Sequence, residues 1–332
     1  MQKCRWALIL LLGAAFSSRP ILSHDAQGSN QPAERVYFSA LNKEERPVPG
    51  LKAADFELRV NGRPASLEGF RAGLPYGDRS TPLVAWILLS IGPKIDSKAI
   101  QRQAGTIAAA FAMLHPGSVM GIKLISDRSE TLAPLAHDPQ ALRASFLQYG
   151  ERRAELQVGI QNDSVPLGNA GMARALELAV DELDAYVASQ PSLQNREVHR
   201  AVMIISNGDL NPDYKLKSFY AKAALESVFV YPVYVPVDWY GQWVLDYYEL
   251  AKKTAGVASV FGAIKPGSKV LPLPQSNQDA NALQANFIHM IRDVNGKYSF
   301  TILPPPEGQQ MQLELRCKVK GIQIRLPRTS LP

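Results

Sequence analysis

The residue types able to carry chemistry are thinly spread along this chain of 332 residues. Its five histidines, His24, His115, His137, His199 and His289, stand singly. None belongs to an H-E-x-x-H pair, which would set two imidazoles on one helix face around a zinc ion. There is no G-x-S-x-G elbow to expose a serine nucleophile and no phosphate-cradling loop. No nucleophile has a neighbour that would activate it as a base. Hydrolytic and phosphoryl-transfer chemistry therefore lack their residues, and the sequence predicts no enzyme, no catalytic residue, no metal and no cofactor. His115 and His137 fall beside predicted helix ends, where capping or solvation is the ordinary role.

What remains is recognition chemistry. The segment Trp239-Tyr240-Gly241-Gln242-Trp243, with Asp246-Tyr247-Tyr248 after it, is the densest aromatic stretch of the chain. Trp239, Trp243 and Tyr247 recur at i, i+4 spacing, so one reading is a stripe packed against a sheet. The other is an exposed anchor for a partner, because aromatic side chains concentrate binding energy at interfaces. On that second reading Trp239 and Tyr240 are the exposed pair. Three polar loops accompany them: Ser90 to Lys94 with Gly92, the loop around Asn169, and Ser206-Asn207-Gly208-Asp209.

The elements that position these loops read clearly. Residues 83–89 and 201–205 are unbroken apolar runs, as expected of strands covered by helices on both faces. Between and beyond them strands alternate with amphipathic helices. Strand patterns at 119–125, 228–237 and 257–261 alternate with helical patterns at 97–114, 138–147, 172–187, 214–227 and 239–254. Asp138 is placed as an N-cap and Gly256 as a helix stop. That alternation predicts a mostly parallel α/β sheet whose ligand face lies at the carboxyl ends of the strands.

Both chain ends read differently. Val36, Phe38 and Ala40 alternate, as do Phe56, Leu58 and Val60 before Asn61-Gly62, a strong hairpin signal. At the other end a helix over 280–294 precedes strand patterns at 298–303, 312–319 and 322–326. Two isolated hairpins would each be marginal. The economical expectation is that the two ends pair into one small β-sandwich-like unit with the α/β domain inserted between them. Cys317 lies in an alternating stretch there and is expected to pack and not to react.

Residues 1–23 join Lys3 and Arg5 to a short apolar run, the layout of a secretory signal peptide. Cys4 precedes that run and would leave with it. The segment carries Lys3, Arg5 and Arg19 and no acid, so its removal halves the formal net charge of +6. The basic residues that stay are scattered, which argues against nucleic-acid binding.

Several phrases, in order, resemble the von Willebrand factor type A family, in particular a group of exported bacterial proteins with a related A-type domain. Arg46-Pro47-Val48-Pro49-Gly50-Leu51, Asp55-Phe56 and Asn61-Gly62-Arg63-Pro64 resemble that group's leader. His137-Asp138-Pro139-Gln140-Ala141-Leu142 resembles its segment after the second strand, and Ala175-Leu176-Glu177-Leu178-Ala179 its helix after the threonine loop. Lys297-Tyr298-Ser299-Phe300 followed by Pro304 to Pro306 resembles its carboxyl-terminal ending. The resemblance implies a doubly wound, Rossmann-like sheet of the A-domain type.

It also implies where a divalent ion would sit, on an Asp-x-Ser-x-Ser loop, a distant Thr and a distant Asp. Magnesium needs a near-octahedral shell of oxygens. Laying the family's first strand on residues 87–89 puts Leu89 at the aspartate, Ile91 at the first serine and Pro93 at the second. Sliding the register by one residue makes Ser90 the first serine and leaves the cation of Lys94 at the last position. Ala170 stands where the threonine hydroxyl belongs, and Asn207 offers a carbonyl oxygen without charge. The resemblance thus implies a binding face made of Ser90, Gly92, Asn169, Asn207 and Asp209 whose metal site has decayed.

The expected organisation is a signal peptide at 1–23, a flexible lead-in at 24–34, an N-terminal β unit at 35–75 and an A-like domain at 82–262. A linker at 263–279 and a carboxyl-terminal helix with strands at 280–328 complete it. The expected function is non-catalytic protein–protein interaction outside the cytoplasm, periplasmic or secreted. The partner would be another envelope or extracellular protein, with no membrane span left after signal removal. Two alternatives stand beside it: a metal-dependent adhesion module with rearranged ligands, using Asp209 or Asp96, and an envelope hydrolase.

Overall fold

The computed structural model describes residues 33–75, 78–90, 97–125, 129–160, 169–194, 196–206, 216–235, 241–260, 283–303, 311–326 and 330–331. The expected signal segment at 1–23 and linker at 263–279 lie outside the described residues.

The described residues begin with four strands: β1 (Glu34–Leu41), β2 (Phe56–Val60), β3 (Arg63–Ala65) and β4 (Glu68–Arg71). The central strands follow as β5 (Leu83–Ser90), β6 (Val119–Ile125), β7 (Ser129–Ala136), β8 (His199–Ser206), β9 (Val228–Tyr234) and β10 (Ser259–Val260). They form one six-stranded sheet in the order β10-β9-β8-β5-β6-β7. All neighbours pair in parallel except β7, which folds back antiparallel on β6. The order reverses direction between β5 and β8, the topological switch point at which doubly wound folds place their ligands.

Among the described residues the helices are α1 (Ser97–Ala112), α2 (Pro139–Ile160), α3 (Asn169–Ser189), the short α4 (Pro191–Gln194), α5 (Leu216–Leu225), α6 (Gly241–Lys253) and α7 (Leu283–Asn295). Successive strand residues face opposite ways, so one apolar run serves two cores. Ala85, Ile87 and Leu89 pack with Ile107 and Phe111 of α1, Phe146 and Tyr149 of α2, and Phe287 and Met290 of α7. Val84, Trp86 and Leu88 pack with Leu176 and Leu183 of α3, Phe219 of α5 and Leu250 of α6. Each large side chain removed from water this way contributes about 1.5–3 kcal/mol. That is why residues 83–89 of β5 and 201–205 of β8 are apolar and buried throughout.

Two local features depart from the sequence expectation. Strand β7 was not predicted; as an edge strand only its Ala133 is buried, which leaves no apolar run to read. At the end of α6 the left-handed residue is Ala255, at φ 54°, and not Gly256. The Gly256 amide reaches back to the Ala251 carbonyl at 2.8 Å, closing the helix. Glycine is needed at 256 for space, because a Cβ there would lie 1.8 Å from the Val230 carbonyl oxygen. Other signals hold as read: Asp138 Oδ1 accepts the amides of Gln140 and Ala141 at 2.9 Å each, capping α2. Asn61 and Gly62, at φ 50° and 75°, join β2 to β3 with two residues, the geometry of a type I′ hairpin.

The remaining strands are β11 (Tyr298–Ile302), β12 (Met311–Cys317), β13 (Gln323–Arg325) and β14 (Ser330–Leu331). They join the opening strands in two four-stranded sheets, β13-β1-β11-β4 and β14-β12-β2-β3. Val36 pairs with Phe300 and Leu58 with Leu315. Val36, Phe38, Phe56, Leu58, Tyr298, Phe300, Leu313 and Leu315 make one buried cluster, and Cys317 packs at its margin. The odd face of β1 looks the other way: Tyr37 meets Phe229 of β9 edge-on, with ring centres 5.7 Å apart.

Candidate functional site

Strands β5, β8 and β9 end level with one another, since Leu89 pairs with Ile205 and Ser206 with Tyr234. The chain therefore leaves three neighbouring strands on one edge, after Ser90, Ser206 and Val235. Gly92, Asn207, Asp209, Trp239 and Tyr240 follow those ends in sequence and lie outside the described residues, as do Ile91, Pro93, Lys94 and Asp96. Asn169 is the first residue of α3.

At the end of β5 the described residues are closed. Leu89 is wholly buried among the α1 and α2 side chains. Ser90 is 3% exposed, and its carbonyl accepts the Tyr149 hydroxyl of α2 at 2.7 Å. Burial holds the Tyr149 phenol well above its ordinary pKa, so it acts as a neutral donor. Of the aromatic stripe, Tyr247 is buried and packs on Tyr234 with ring centres 5.5 Å apart. That is the packed-stripe reading at this position. Among the described residues no three of His, Cys, Asp and Glu are grouped for a metal, and no helix is long and apolar enough to cross a membrane.

A second polar constellation was not foreseen. Asp293 of α7 and Lys297 after it meet at 2.5 Å with both side chains out of solvent. The Tyr231 hydroxyl donates to the same carboxylate oxygen at 2.7 Å. Lys297 Nζ also donates to Ser39 Oγ at 2.6 Å and to the Ala255 carbonyl. Beside this group Arg325 of β13 binds Glu45 at 2.9 Å and the Gly256 carbonyl at 2.6 Å. The Tyr248 hydroxyl of α6 donates to Glu45 at 3.0 Å.

Burial pulls the Lys297 ammonium down while Asp293 holds it up, and burial beside Asp293 pushes the Tyr231 phenol up. All three ammonium donors are taken, so Lys297 is a fixed charge and not a nucleophile. The arrangement bolts β1 and β13 to the central sheet and α6. Its one sequence signal is the i, i+4 spacing of Asp293 and Lys297, which on an exposed helix end would mean little.

The isolated histidines also have structural work. His115 Nδ1 accepts the Gly117 amide at 2.8 Å, and His137 Nδ1 lies 2.7 Å from the Ser118 carbonyl, so both brace the turn before β6.

No protein-family model matches this chain, and no curated protein does. Solved structures do show likeness. The N-terminal domain of TFIIH p34 is 13% identical, with 62% of this chain and 98% of that one covered, at a TM-score of 0.39. A von Willebrand factor type A protein from Catenulispora acidiphila is 11% identical, with 89% and 72% covered, at 0.41. The conserved hypothetical protein BatB from Bacteroides thetaiotaomicron is 15% identical, with 63% and 99% covered, at 0.39. The fold is doubly wound α/β. The strand order and the core on both faces of the sheet define it.

Proposed function

We propose that this chain is an exported, non-catalytic interaction module of von Willebrand factor A-like fold that engages a protein partner without a divalent ion. The observation that supports this is the closure of β5. The position that the A-domain resemblance assigns to a carboxylate ligand is Leu89, buried in the core, and the carbonyl that follows is occupied by Tyr149. A magnesium site deprived of its charged oxygens loses most of its affinity. On this reading the loops after Ser90, Ser206 and Val235 present hydrogen bonds and apolar contact, with Trp239 and Tyr240 as the aromatic anchor. The two end sheets act as one sandwich-like unit that carries the domain. Export rests on the basic and apolar pattern of residues 1–23.

Calorimetric titration of the mature protein with magnesium and manganese chloride tests the metal half of this reading. Micromolar binding of either ion would sink it in favour of an adhesion module with rearranged ligands. Pull-down from the envelope fraction, with and without chelator, tests the other half: the same partner should be retained in both.

A further inference from the structure

A cleft of about 620 Å³ opens at the amino ends of the central strands, on the edge opposite the loops discussed above. Its walls come from three layers: Arg71 at the end of β4, Thr81 before β5, Arg196, Glu197 and His199 at the start of β8, and Asn295 at the end of α7. That volume is the size of a small-molecule site, and junctions between layers are where such sites form.

The charges around it do not balance. Arg71 is matched by Glu197, whose carboxylate also takes a hydrogen bond from Tyr37. The stem of Lys297 forms part of the wall, but its charge is spent on Asp293. Arg196 has no ion-pair partner among the described residues, although it is an exposed guanidinium beside the opening. His199 is 4% exposed and its Nδ1 has no hydrogen-bond partner. Leaving a buried polar group unsatisfied costs about 1–3 kcal/mol. Arg196, without a counter-ion among the described residues, and His199, a buried imidazole with one unpartnered nitrogen, thus line the same cleft.

We propose that this cleft binds a small molecule through an oxyanion, a carboxylate or a phosphate, with Arg196 clamping the anionic group and the His199 ring supplying a further polar contact. Arginine pairs with either anion through two parallel N–H···O bonds. Among the described residues of the wall Glu197 is the one opposing carboxylate, and Arg71 with the Tyr37 hydroxyl already occupies it. The site is independent of the interaction surface at the other edge, so it stands or falls without that reading.

The test is calorimetry on the full mature chain with sodium phosphate and, separately, sodium succinate, at matched ionic strength. Saturable binding of one equivalent is expected for at least one probe, and which one binds tells phosphate from carboxylate. Arg196→Ala, at an exposed position, should weaken that binding at least about tenfold, the loss of roughly one charged hydrogen-bond pair. His199→Asn should weaken it too, while Arg316→Ala, on the solvent face of β12, should leave it unchanged. Absence of binding by both probes overturns the site. So does equal weakening by Arg196→Ala and Arg316→Ala, which would mean general charge attraction.

Discussion

Asp293 and Lys297 form an ion pair at 2.5 Å in which neither side chain touches solvent. It sits where α7, β9, β1 and the turn after α6 converge, through Tyr231, Ser39 and Ala255. Removing one partner leaves an uncompensated buried charge. Lys297→Met is therefore expected to cost about 3–5 kcal/mol, read from the urea midpoint. Asp293→Leu combined with Lys297→Met should cost less than Lys297→Met alone. If the single change costs under about 1 kcal/mol, the pair does not hold the end strands in place.

The burial of His199 makes stability depend on pH. Desolvation lowers its pKa from 6.5 to about 4, although Glu197 pulls the other way. The folded pKa lies below the unfolded one, so between these values the unfolded chain binds a proton that the folded chain refuses. The stabilisation is complete above pH 6.5 and is lost as the pH falls toward 4, amounting to roughly 3 kcal/mol. Denaturant titrations across that window should show the slope in the wild type and a flatter line in His199→Asn. Equal slopes would refute the assignment to His199.

Gly256 is predicted to be intolerant of even one methyl group. A Cβ there would lie 1.8 Å from the Val230 carbonyl, and backbone atoms of a central strand cannot step aside. Gly256→Ala should cost at least about 1–3 kcal/mol by thermal unfolding. A Tm within a degree of wild type would show that the turn after α6 can shift.

Trp239→Ala and Tyr240→Ala separate an interface anchor from a core stripe. As anchors, both variants keep the wild-type Tm and lose partner capture by at least about tenfold, since truncating a hot-spot ring costs about 2 kcal/mol or more. If both variants unfold, the rings belong to the core and the anchor idea is wrong.

The parts of the fold that were legible in sequence are those decided locally. The apolar runs of β5 and β8 announce burial on both faces, Asp138 announces a helix start, and Asn61-Gly62 announces a hairpin. Strand β7 escaped because an edge strand shows half its side chains to water and so carries no unbroken apolar signature. The stop after α6 was legible as a stop, but the residue that takes the left-handed conformation is Ala255. Gly256 is demanded by Val230, a strand residue that the sequence does not mark as its neighbour.

By itself, then, the sequence determined the alternation of strands and helices and the apolar identity of Leu89 at the end of β5. Only the tertiary structure decided that Val36 registers with Phe300 and that Lys297 finds three hydrogen-bond partners at 39, 255 and 293. It alone placed His199, whose Nδ1 has no partner, on the wall of a cleft with Arg196. The physical reason is range: periodicity reports which face of an element is apolar, whereas a buried charge is defined by residues as far as 258 positions away.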